Sequence, residues 1–408
     1  MKALLGLAAA GIFALGLRPA EPVWTVVVGG DSDGHLAPCG CTSPMTGGIR
    51  RRAAAIREHA ATEHRLLLET GAFVTGTGLQ DRFKAEMLAE ASGAMGAVVA
   101  LTPSEAQFGP GQFSSLNALS GDAYVSGNVS GVQGLSRVVR RGPFAITALA
   151  NDPQAVPAAI GGKAISNEIA AQALLAKKAT SVVMFAGDED AARSLARSQP
   201  KLSLIVHRRG GNPAEKILYE GQVALVSPGE RGKNIVMLER RGNRWERYRV
   251  VNLGPQFKDD KLISRMYAAY LKRVDGAGLL DMLARTEGAA FAGNDACLSC
   301  HPKAAEVWKG SKHSHAYETL DKDGHGRDPD CVRCHVTGLE SKGGFLSRSA
   351  SAQFAFVGCE SCHGPGAEHV KNPKAPISRS GAESCNKCHT GDTSPRFDYQ
   401  TYWKKIAH

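Results

Sequence analysis

Residues 359–369 read Cys-Glu-Ser-Cys-His-Gly-Pro-Gly-Ala-Glu-His. Two cysteines stand three positions apart, a histidine follows the second at once, and another histidine comes six positions later. The Cys-x-x-Cys-His unit recurs at 297–301, 331–335 and 385–389, so successive copies start 34, 28 and 26 residues apart. Eight of the ten cysteines lie in these four units, and Cys39 and Cys41 form a separate Pro-Cys-Gly-Cys. The first 296 residues hold two cysteines and the last 112 hold eight, a split that marks a domain boundary.

Cys-x-x-Cys-His is the pattern of covalent haem c attachment. Two thiols must reach two vinyl groups on one edge of a porphyrin, which sets them about one turn apart. The adjacent imidazole then lies under the ring and can bind iron. The thioether positions are Cys297, Cys300, Cys331, Cys334, Cys359, Cys362, Cys385 and Cys388. The proximal ligands are His301, His335, His363 and His389, for four haem c groups. A zinc ribbon also pairs Cys-x-x-Cys units, but it gives no reason for a histidine after every pair.

Composition supports this independently. In residues 291–408, Leu, Ile, Val and Phe number 16 of 118. So few core formers would normally leave a chain disordered. Four flat apolar macrocycles supply the missing core, and a mainly α, loop-rich multihaem cytochrome c domain is expected. Five further histidines lie there, His313, His315, His325, His369 and His408, and the last methionine of the chain is Met282. Met/His ligation within this region is therefore excluded, and bis-histidine iron of lower potential is expected.

The phrases CLSCHPKAAEVWKGSKH (297–313), GCESCHGPGAEHV (358–370) and FDYQTYWKKIAH (397–408) resemble the tetrahaem cytochrome c-554 family of electron carriers. The resemblance implies that His313, His369 and His408 are distal ligands to haems other than their neighbours. It also implies that the haem of His335 is five-coordinate. His315 and His325 are expected at the surface.

The rest of the chain is quieter. Lys2, fifteen mostly apolar residues and then Arg18-Pro19 read as a secretory signal over 1–20, too short for the roughly 20 residues of a membrane span. A periplasmic or other extracytoplasmic location is expected, with membrane attachment only if the signal stays uncleaved. Residues 22–255 alternate apolar strand runs such as Trp24–Gly29 with helical stretches, which reads as an α/β domain with mixed sheets. Residues 256–290 read as a helical connector broken near 275–278, and 291–408 as the haem domain. The net charge is +10, with 34 basic and 26 acidic side chains in 1–290 and 15 and 13 in 291–408. The positives are scattered apart from Arg50-Arg51-Arg52, expected on a solvated helix face, so no nucleic-acid partner is expected.

Phrase order in 22–255 resembles the calcineurin-like metallophosphatases, especially the 5′-nucleotidase branch, and implies a two-sheet sandwich. Two-metal hydrolysis needs a bridging carboxylate and further His or Asn ligands. Asp31 and His207 stand at two of the family's ligand positions. Asp33 replaces a histidine, Ala72 the bridging aspartate, Pro103 and Ser104 an Asn-His pair, and Arg209 a second histidine. An inactive domain is expected, with an Arg209 cation near the former metal position. Cys39 and Cys41 remain open between a disulfide, free thiols and a metal site with His35. The leading expectation is an exported electron-transfer protein working with redox partner proteins. A redox enzyme acting on a small nitrogen or sulfur compound and a hydrolase with a cytochrome tail are the alternatives.

Overall fold

The computed structural model describes residues 22–38, 44–61, 63–391 and 393–408. The leader over 1–20 and the Cys39 and Cys41 pair lie outside the described residues.

Two six-stranded sheets are stacked face to face. In the first, strand Trp24–Gly29 runs parallel to Arg65–Glu69 and antiparallel to Asn234–Arg241. Val98–Ala100 and Tyr124–Val125 extend it on one side and Arg244–Asn252 on the other. The second runs in the order Leu218–Glu220, Val223–Val226, Leu204–His207, Thr180–Ala186, Phe144–Ala150, Val139–Arg141. Side chains alternate across each strand. Val26, Val28, Leu66 and Leu68 turn inward to meet Ile146, Val182 and Val206 of the second sheet. Val27, Leu67 and Val99 turn outward into a second core under the helices. Both faces are buried, which explains why these strands read as unbroken apolar runs.

Helices Ile49–His59, Leu79–Met95 and Gly109–Leu119 cover the outer face of the first sheet, and Asn167–Leu175 and Glu189–Ser198 that of the second. Helix Lys261–Gly276 lies in the stretch read as a connector. It buries Ile263, Tyr267, Tyr270 and Val274, spaced at helical intervals, in the same core as the first two helices.

The arginine triplet departs from expectation. Helix Ile49–His59 faces the sheet through Ile49, Arg52, Ala53 and Ile56, so Arg52 falls on the buried stripe and not on a solvated face. Arg52 is 1% exposed, 2.7 Å from Glu69 Oε2, and donates to Ser32 Oγ at 3.0 Å; Glu69 is 0% exposed.

The C-terminal part has short helices, none longer than the eight residues of Pro302–Lys309. Among the described residues its buried apolar cluster is Leu280, Tyr317, Val332, Val336, Leu339, Phe345 and Phe354. It is anchored to the sandwich at the second Cys-x-x-Cys-His motif. Asp328, which caps helix Pro329–Val332, accepts from Gln80 Nε2 at 2.7 Å, and Lys84 pairs with Asp330. Arg327 pairs with Asp275 and Asp281 at 2.6 and 2.8 Å. Among the described residues no helix is long and apolar enough to cross a membrane.

Removing one member of a buried ion pair leaves the other charge uncompensated. Arg52→Ala is expected to cost about 3–5 kcal/mol, read as a lower midpoint in chemical denaturation. Arg52→Met combined with Glu69→Leu is expected to recover most of that loss, and a double variant no better than Arg52→Ala would contradict this account.

Candidate functional site

The histidines of the C-terminal part meet in pairs drawn from distant positions. The ring centres of His301 and His369 are 6.3 Å apart, those of His313 and His389 6.2 Å, and those of His363 and His408 6.0 Å. A metal–imidazole bond of about 2 Å plus about 1 Å from nitrogen to ring centre, counted twice, puts two rings about 6 Å apart with one ion between them. Each pair joins a motif histidine to one of the three distal candidates.

Ring orientation fits the same chemistry. The Nδ1 atoms of His363, His369 and His408 lie 2.9, 2.8 and 2.9 Å from the carbonyls of Ser378, Ala375 and Ile406. His335 Nδ1 lies 2.6 Å from the Ala316 carbonyl, and His389 Nδ1 is 3.2 Å from Ser394 Oγ. An Nδ1–H donated to a carbonyl leaves the Nε2 lone pair free for a metal and fixes the ring plane.

His335 forms no such ring pair among the described residues. His315 is exposed beside Glu318, as expected. His325 is not the surface residue expected. It is part-buried, its ring centre 5.7 Å from that of Tyr267 and its Nδ1 3.8 Å from Cys331 Sγ. Helix Lys261–Gly276 covers it, which a reading of local sequence could not anticipate. Burial lowers its pKa. His325, Asp328 and Cys331 bring ligand atoms within 4.8 Å of one another. Use of Cys331 in a thioether would remove that donor set.

The eight motif thiols are free of disulfides. Cys297 contacts Cys359, and Cys334 contacts Cys388, so the first motif meets the third and the second meets the fourth. The Cys359 contact draws the Cys297 thiol down to about 7, against burial and the Glu360 charge. The same contact, then burial, pushes Cys359 upward, and Glu360 adds to the rise. Paired sulfurs and paired imidazoles together make a donor set that fits several c-type haems in close array.

The sandwich carries a second polar cluster at the C-terminal ends of its strands, where α/β sheets usually bind ligands. Asp31 (φ 45°), Asp33 (φ 46°) and Ala72 (φ 50°) adopt left-handed backbone there. Such conformations cost energy in non-glycine residues and concentrate at functional loops. Gly30 is required, because a Cβ would sit 2.0 Å from Thr70 Oγ1. Glu105 ties down the Ala72 loop, accepting from the Phe73 amide at 2.8 Å and the Thr102 hydroxyl at 2.5 Å. Ser104 Oγ donates to the Val74 carbonyl at 2.5 Å. Hydrogen bonds thus hold the Ala72 loop in place.

The cation over this cluster is Arg208, not the Arg209 expected. Arg208 Nε is 3.1 Å from Asp31 Oδ1 and its Nη2 is 3.4 Å from Asp33 Oδ1. Arg209 turns away to Glu189 at 2.7 Å, because the chain leaves strand Leu204–His207 with alternate side chains on opposite faces. His207 is buried with Nδ1 2.9 Å from the Arg208 carbonyl, and burial lowers its pKa. Burial also lowers His35, which lies 3.1 Å from the Ser32 carbonyl, and raises Asp33. Burial, partly offset by Arg208, raises Asp31 to about 7.

That raised value makes a pH signature. Asp31 contributes stability that is fully present below the unfolded pKa near 4 and is lost as pH rises through about 7. Asp31→Asn is expected to be more stable than the parent at pH 8, by on the order of 2–4 kcal/mol. The advantage shrinks towards pH 4. Denaturation midpoints measured across that range check it, and a difference independent of pH would contradict it.

Comparison with known proteins divides the chain in the same way. The family model described as cytochrome c554 and c-prime matches residues 296–364. Cytochrome c-554 of Nitrosomonas europaea is 34% identical over 137 residues, which cover 25% of this chain and 58% of that protein. This chain therefore spans little more than half the length of that relative. The 5′-nucleotidase precursor of Thermus thermophilus superposes with a TM-score of 0.52 at 20% identity, covering 69% of this chain and 68% of its own. The NAD nucleotidase of Haemophilus influenzae gives 0.53 at 14% identity, over 67% and 64%. At such identities the likeness concerns the fold alone. The C-terminal part resembles the cytochrome c-554 family of c-type haem proteins, and the α/β part has the fold of the calcineurin-like 5′-nucleotidases.

Proposed function

We propose that this chain is an exported multihaem cytochrome that carries electrons between redox partner proteins. The observation that supports it most is the set of three histidine pairs with ring centres 6.0–6.3 Å apart, each pair including one motif histidine. On this reading the eight motif cysteines hold four haem c groups. His301 with His369, His389 with His313 and His363 with His408 close three irons. His335 alone holds the fourth. Haem c would supply one-electron exchange at iron; the chain supplies attachment, axial nitrogen and close packing. Carbonyls at Nδ1 keep the ring planes fixed, so little rearrangement accompanies a change of charge. The four haems would add eight propionates to the small positive balance of residues 291–408, favouring basic partners.

The α/β part docks a partner or positions the haem region, without hydrolysis. Arg208 pairs with Asp31, the carboxylate that a metal would need, and with Asp33, and Ala72 offers no bridge. The extended division is 1–20 signal, 22–255 sandwich, 256–290 connector and 291–408 haem domain, with a periplasmic location. One specific observation favours a second reading. Among the described residues no histidine ring lies opposite His335, which would leave room for a small nitrogen or sulfur compound at that iron.

The holoprotein, reduced and treated with carbon monoxide, is expected to contain four haems per chain with about one-quarter of the absorption shifting. His369→Ala should open a second iron and raise the shifted share to about one-half. Fewer than four haems, or an unchanged response in His369→Ala, would overturn the proposed ligand set. Protein supplied with Mn²⁺ or Zn²⁺ is expected to leave 5′-AMP unhydrolysed, and metal-dependent phosphate release would restore the hydrolase reading.

A further inference from the structure

The third motif contains a side chain that haem attachment does not use. Glu360 lies between Cys359 and Cys362 and is 4% exposed. Its Oε1 accepts from the amides of Ala292 at 2.8 Å and Gly366 at 2.7 Å, and its Oε2 accepts from the amide of Gly293 at 2.8 Å. All three partners are donors, the pattern suited to an ionised carboxylate. Among the described residues no cationic side chain forms an ion pair with it, so its charge is solvated by backbone alone.

The three amides belong to the two segments that define the first haem site. Gly293 precedes helix Asn294–Leu298, which carries Cys297, and Gly366 precedes helix Ala367–Lys371, which carries His369, the ring paired with His301. Glu360 itself lies in helix Cys359–His363, the third motif. Asn294 Oδ1 accepts from the Cys359 amide at 2.8 Å, and the Cys297 and Cys359 thiols touch. The Glu360 charge acts on both of those sulfurs. A negative group is therefore buried where the first and third motifs meet; the buried carboxylate at the second motif, Asp328, instead has Gln80 and the Lys84 charge beside it.

We propose that Glu360 is a fixed countercharge that lowers the reduction potentials of the haems of the first and third motifs as a pair. The inference rests on the haem reading above. Ferric iron carries one more positive charge than ferrous iron, so a buried carboxylate nearby favours the oxidised form. Low dielectric around it preserves the effect against salt. The two motifs share one carboxylate, so their potentials move together.

The test is a spectroelectrochemical titration of the holoprotein at pH 8, with haem counted per chain. Glu360→Gln is expected to move two of the four reduction waves to more positive potential and leave the other two in place. Asn294→Asp supplies the opposite change. Asn294 is 4% exposed and its Nδ2 has no hydrogen-bond partner, so an oxygen there breaks no bond while Oδ1 still accepts from Cys359. Asn294→Asp is expected to move the same two waves to more negative potential. If Glu360→Gln fails to take up haem, the Asn294→Asp titration decides by itself. Four haems with unmoved waves in Glu360→Gln, or unmoved waves in Asn294→Asp where Glu360→Gln takes up no haem, or a shift in the same direction in both variants, would show that Glu360 is only a structural clip. A parent protein without haem would overturn the haem reading instead.

Discussion

Three imidazole pairs held about 6 Å apart are the constraint around which the C-terminal part is built. Each pair spans a large stretch of sequence: 68 positions separate His301 from His369, and 76 separate His313 from His389. Closing such loops costs conformational entropy that seven clustered apolar residues cannot offset. Backbone carbonyls fix the rings, and short helices hold the cysteines, but neither brings distant segments together. On the proposed reading the metal–nitrogen bonds and the macrocycle faces do so, and folding of this region is coupled to cofactor attachment.

The sandwich shows the opposite economy. Its strands are buried on both faces, and its stability comes from ordinary apolar packing together with the buried Arg52–Glu69 ion pair. At the C-terminal ends of its strands the backbone at Asp31, Asp33 and Ala72 is left-handed. Glu105 and Ser104 hold the Ala72 loop by hydrogen bonds, and Arg208 spans Asp31 and Asp33. The result is a polar loop cluster tied together by its own hydrogen bonds and ion pairs.

The two parts meet at Gln80 and Lys84 on one side and Asp328 and Asp330 on the other. This contact is next to Cys331, and Lys84 also approaches the loop that carries Asp33 and His35. The second motif is thus the one built against the sandwich. His325 is drawn into the same junction by Tyr267, so the motif without a histidine pair is also the one whose surroundings both parts of the chain shape.

Spacing in the sequence determined the four motifs, because covalent attachment to one porphyrin edge is a local demand met within five residues. Alternating and unbroken apolar runs made the strands legible for the same reason, since burial repeats at the period of the backbone. That His313, His369 and His408 would each lie beside a motif histidine could be expected only through resemblance, and their pairing could not be read from spacing, because partners 45 to 76 residues apart are chosen by the folded path. Tertiary structure alone decided that Arg52 lies inside, that Arg208 rather than Arg209 faces Asp31, and that His325 is covered. Each depends on which neighbour arrives from elsewhere in the chain. A side chain's charge and size are written in the sequence, but its dielectric surroundings and partners are properties of packing.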